Sequence, residues 1–88
     1  MGETTLRFIE FIRMHAQNTS LFLGKTPHPQ TGKPQVNLHV ARMLVGQLAA
    51  IAVKTRGNLT REESEVLENA LTHLQEGLRE AEKNPPAL

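Results

Sequence analysis

From Met43 to Val53 one polar side chain, Gln47, interrupts an otherwise apolar run. A helix built from it is apolar nearly all the way round, and in a protein dissolved in water such a helix is buried on most sides. The run falls well short of the roughly 20 residues that a membrane-crossing helix needs. No transmembrane span is expected, and the rest of the 88 residues must be read as what covers this segment.

The punctuation around the run sets its limits. Asn37 is a favourable N-cap and Gly57 a helix stop, so the sequence predicts a helix over residues 38–56. Within it Gly46, Ala49, Ala50 and Val53 fall at i, i+3, i+4 and i+7, a strip of small residues where another helix can approach closely. A mid-helix Gly costs about 1 kcal/mol relative to Ala, which packing against a neighbour can offset.

A further helix is predicted over residues 61–83. It opens on Thr60-Arg61-Glu62-Glu63, a capping box in which the Glu63 amide donates to the Thr60 hydroxyl while the Glu63 carboxylate accepts from the Thr60 amide. Glu62 and Glu63 suit the positive end of the helix dipole, and Arg79 and Lys83 suit the negative end. Leu67, Leu71, Leu74, Leu78 and Ala81 alternate steps of four and three, the seam of an antiparallel pair. Pro85-Pro86 follow, and residues 84–88 are expected to fray. Only Gly57-Asn58-Leu59 separate this helix from the preceding one, so the two must fold back as a tight antiparallel hairpin.

Towards the N-terminus, Phe8, Phe11, Ile12, Ala16, Phe22 and Leu23, with His15 and Thr19 among them, recur at three and four and predict a helix over residues 5–23. Leu6 and Ile9 widen its apolar stripe; Arg7, Glu10, Arg13 and Gln17 lie on the other side. Gly24 closes it. Residues 24–36 carry Pro27, Pro29 and Pro34 and are expected to form a loop with a tight turn at Thr31-Gly32. The expectation is therefore an all-α single domain of three helices, with helix one attached by a proline-rich loop. A chain of this size has a small core, and without Cys it has no disulfide to reinforce it. Two helices of ordinary amphipathicity cannot fully cover the apolar middle helix, so a homo-oligomer, most simply a dimer, is expected to complete the bundle.

Taken together, Lys54-Thr55-Arg56-Gly57-Asn58-Leu59-Thr60-Arg61-Glu62-Glu63, preceded by Asn37-Leu38, Ala41, Leu23-Gly24 and Pro29-Gln30-Thr31-Gly32-Lys33, resemble a family of small bacterial proteins described as a domain of unknown function, numbered eighteen forty-four. The resemblance covers roughly residues 6 to 80. It implies a bacterial, cytoplasmic, helical protein with no assigned activity, substrate or partner. Where members of that family often carry Ile-Asp in the second helix, this chain has Val45-Gly46, so any role of that acid does not carry over.

The chemistry-bearing residues are sparse. Gly24-Lys25-Thr26 has the ending of a phosphate-binding loop, but Thr19 stands where that loop needs Gly and a helix precedes it. His15, His28, His39 and His73 form no i, i+4 pair and have no Cys to complete a zinc set. Ser20 and Ser64 lack an evident base, there is no Asp, and most carboxylates lie on one helix. No catalysis, cofactor or metal is expected. Residues 1–57 carry a net +5 and residues 58–88 a net −4, halves that can satisfy each other within one chain or between copies.

Three surfaces remain as candidates. Met43, Gly46, Ala49, Ala50 and Val53 are expected to mediate self-association, in an assembly or adaptor module whose further protein partner the residues do not define. Arg42, Lys54 and Arg56, with Lys25 and Lys33, form an alternative basic patch for nucleic acid, without Tyr or Trp for stacking. Helix one is amphipathic enough to lie on a membrane surface, although Glu10 offsets Arg7 and Arg13. The opening residues lack a basic lead-in and an unbroken apolar stretch, so no signal sequence is expected and the cytoplasm is the expected compartment.

Overall fold

A computed structural model of the chain describes residues 2–27, 30, 32 and 34–83. The Thr31 half of the tight turn, Lys33 of the basic patch and the fraying of residues 84–88 lie outside them. The elements are α1 (Glu3–Phe22), β1 (Leu23–Pro27), β2 (Pro34–Val36), α2 (Leu38–Lys54) and α3 (Arg61–Lys83). The fold is three helices, each packed on the other two. The Asn37 amide donates to the Phe22 carbonyl at 2.8 Å and the His15 ring contacts the Leu44 carbonyl, so α1 and α2 run antiparallel. Helices α2 and α3 form the antiparallel hairpin that their short connection requires.

Each helix end has a local cause. Gly24 follows α1 at φ 77° and Gly57 follows α2 at φ 88°, left-handed values that an L side chain rarely adopts. Helix α2 stops at Lys54, two residues before the expected end: the Thr55 hydroxyl donates to the Ile51 carbonyl at 2.6 Å, and the Arg56 amide turns back to the Val53 carbonyl at 3.3 Å. Asn37 Oδ1 accepts from the Val40 amide at 3.2 Å, the N-cap that the sequence predicts.

The segment expected to be a loop holds a short antiparallel ribbon instead. Leu23 pairs with Val36 and Pro27 with Pro34, with a register irregularity between the two pairs. Proline density argues against strands because each ring removes a ladder donor, but a two-stranded ribbon has only edges, where Pro is tolerated. The ribbon is clipped to the bundle. Leu23 enters the core, and a Cβ added at Gly77 on α3 would lie 3.2 Å from Leu23 Cδ1, so the missing side chain at Gly77 lets β1 sit close.

The core is Ile12, Leu23, Ala41, Val45, Leu48, Leu67, Leu74 and Leu78. Helix α1 contributes Ile9, Ile12 and Thr19 as its buried line. Its aromatic stripe is thus displaced from expectation: Phe8 and Phe22 pack partly buried, while Phe11 is 46 % exposed. Of the two isoleucines, Ile12 joins the core cluster with α2 and α3. Phe11 stacks on Phe8 at 6.5 Å between centroids and leans on His15 at 6.0 Å.

Candidate functional site

Helix α2 divides into two faces. Ala41, Val45 and Leu48, at steps of four and three, enter the core. On the opposite face Met43 and Val53 are 50 % and 59 % exposed, and Gly46 and Ala50 lie exposed between them. A Cβ built on Gly46 would meet nothing within 4 Å. Of the expected strip only Ala49 is half-buried, on the flank it shares with Arg42 seven residues earlier.

Beside this strip, Phe11 and His15 of α1 and Gln47, Ala50, Ile51 and Lys54 of α2 line a shallow groove. Met14, one turn beyond Phe11, is 64 % exposed. Large hydrophobics exposed among the described residues are Leu6, Phe11, Met14, Val36, Met43 and Val53. Three of them, Phe11, Met43 and Val53, belong to this α1–α2 surface. Its floor is fixed by polar contacts: His15 Nε2 lies 2.7 Å from the Leu44 carbonyl, which can only accept, so that nitrogen carries the proton. The buried Thr19 hydroxyl in turn donates to the His15 carbonyl at 2.8 Å.

The residues of the basic patch do not converge. Arg42 Nε pairs with Glu82 Oε2 of α3 at 3.1 Å. Lys54 lies about 18 Å further along the helix axis, on the α1 flank at the edge of the groove. Arg56 lines a cleft beside Leu67, Glu68 and Leu71, on the α3 flank. Lys25 Nζ is 3.5 Å from Glu80 Oε2.

At the hairpin turn the capping box forms in both directions. The Thr60 amide donates to Glu63 Oε1 at 2.7 Å, and the Glu63 amide to Thr60 Oγ1 at 3.2 Å. The Thr60 amide, above all, holds the Glu63 carboxyl below its ordinary pKa; burial opposes the shift, and the hydroxyls of Thr5 and Thr60 add to it. The influence of Thr5 on this carboxylate sets the start of α1 beside the start of α3, a proximity that sequence reading did not reveal. Leu59 packs against the core, between the exposed Gly57 and Asn58 on one side and Thr60 on the other.

One further feature appears only in three dimensions. Ser20, His73, Lys25, Glu76 and Glu80 line a small cleft between α1, β1 and α3, with no hydrogen bond from Ser20 to His73. Among the described residues no three His, Cys, Asp or Glu side chains are grouped so that they could hold a metal ion, and no helix is long and apolar enough to cross a membrane.

Fold and surface together define a small all-helical protein with a capped hairpin, a ribbon clip and an apolar outer face on α1 and α2. The family model described as a domain of unknown function, DUF1844, matches residues 5–80, and the chain belongs to that family. No curated protein and no solved structure matches it.

Proposed function

We propose that this protein is a non-catalytic helical assembly or adaptor module of the cytoplasm, which associates with itself through the outer face of α2. One observation carries the reading: Met43, Gly46, Ala50 and Val53 stay exposed although Ala41, Val45 and Leu48 of the same helix are fully engaged. Contiguous apolar surface of this kind marks an interaction site more often than an idle surface. The nucleic-acid reading gains little, because Arg42 is already engaged by Glu82 and lies far from Lys54.

Light scattering over a range of concentrations tests the proposal. The unaltered chain is expected to show at least twice the single-chain mass, and Ala50→Arg to show the single-chain mass with unchanged helical circular dichroism. A monomeric wild-type chain at every concentration overturns it. A salt-dependent shift of generic DNA or RNA by that monomer would move the assignment to the basic side chains.

A further inference from the structure

Resting on that self-association reading, the geometry points to a specific dimer: two copies pack α2 against α2 antiparallel, about a twofold axis that crosses their interface at the level of Leu48 along the helix. The exposed residues Met43, Gly46, Ala50 and Val53 are spaced three, four and three, a pattern that reads the same in both directions. A half-turn about Leu48 sets Met43 against Val53 of the partner subunit and Gly46 against Ala50 of the partner subunit. Long side chains then lie at the two ends and small residues at the centre, where the axes can approach to about 8 Å.

The flanks of the strip select this orientation. In an antiparallel pair like flanks meet, whereas in a parallel pair unlike flanks meet. On one flank α1 runs alongside, with Phe22 level with Asn37 and His15 level with Leu44. The half-turn therefore sets this flank, with the exposed Phe11 on it, against the same flank of the partner subunit. On the other flank the Arg42–Glu82 ion pair lies at one end and Arg56 at the opposite end. The same rotation brings Arg56 of the partner subunit to the Glu82 end, offering the carboxylate a second guanidinium. A parallel pair would instead set Phe11 against the ion pair, a mismatch of apolar and charged surface.

Because the chain has no Cys, engineered thiols report only on this contact. Met43→Cys and Val53→Cys each alter an exposed position. Mixed in equal amounts and oxidised, the two variants should give the mixed 43–53 disulfide, resolved by mass, well above the half share that random pairing yields. Like-with-like bonds should be scarce, because those positions lie about 15 Å apart along the axes, beyond disulfide reach. A random distribution, an excess of like-with-like products, or no covalent dimer from a protein that light scattering shows to be dimeric would overturn the antiparallel geometry and leave self-association standing. Absence of covalent dimer from a chain that is also monomeric by light scattering would overturn both.

Discussion

His15 of α1 donates its Nε2–H to the backbone carbonyl of Leu44 at 2.7 Å, fastening a side chain of the first helix to the main chain of the second. The Leu44 carbonyl retains its place in the α2 ladder without this bond, so its loss leaves no orphaned acceptor. His15→Leu should therefore cost no more than a typical hydrogen bond, about 0.5–1.5 kcal/mol in urea denaturation. His15→Gln, which keeps a donor, should fall between that variant and the unaltered chain.

The capping box makes a pH-dependent prediction. Glu63 has a folded-state pKa below its ordinary value of 4.5. Its stabilising effect is thus fully present above about pH 4.5 and is lost as pH falls through the lower folded value. Glu63→Gln keeps a capping-box residue type but does not titrate. Its stability should fall less steeply between pH 5 and pH 3 (about the range in which carboxylates titrate), as followed by circular dichroism in urea. Thr60→Ala, which removes the N-cap acceptor, should cost about 1 kcal/mol at neutral pH.

Two glycines in helices should respond differently to Ala. Gly46 has open space around its Cβ position, so Gly46→Ala should stabilise the single chain by up to about 1 kcal/mol through helix propensity. At Gly77 the added Cβ would press on the buried Leu23 at 3.2 Å. Displacing the ribbon offsets the propensity gain, and Gly77→Ala should be the less stable of the two. Thermal melts at a protein concentration low enough to suppress association make the comparison.

Opposite faces of α2 give the sharpest contrast. Leu48 is fully buried, and Leu48→Ala should cost about 2–5 kcal/mol. Met43→Ala should leave the stability of the isolated chain within about 0.5 kcal/mol, while weakening association in light scattering.

Helix periods, caps and stops were legible in the sequence because each depends on neighbours within a turn: Asn37 with Val40, Thr60 with Glu63, Gly24 and Gly57 at their left-handed positions. What periodicity leaves open is which part of a broad apolar arc turns inward. Helix α1 carries apolar residues from Leu6 round to Phe11, and Ile9 and Ile12 are buried while Phe11 is left exposed. The ribbon escaped notice because proline is judged by the donor it lacks, a loss that matters little where each strand is an edge. Arg42–Glu82 joins residues far apart in the chain, and no local pattern encodes it. The exposed strip was readable in outline: a helix apolar on nearly every side, with two helices to cover it, leaves something uncovered.

The single bond between the Phe22 carbonyl and the Asn37 amide has a practical reach. It draws both ends of the ribbon together at its root, so the spacing of α1 and α2 is set there and not by the length of chain that departs and returns. Sequence spliced in beyond Pro27, the end of β1, lengthens a closed excursion, and a longer excursion of this kind adds little entropic cost. The ribbon is accordingly the place to carry a tag or a reporter while the helices keep their register.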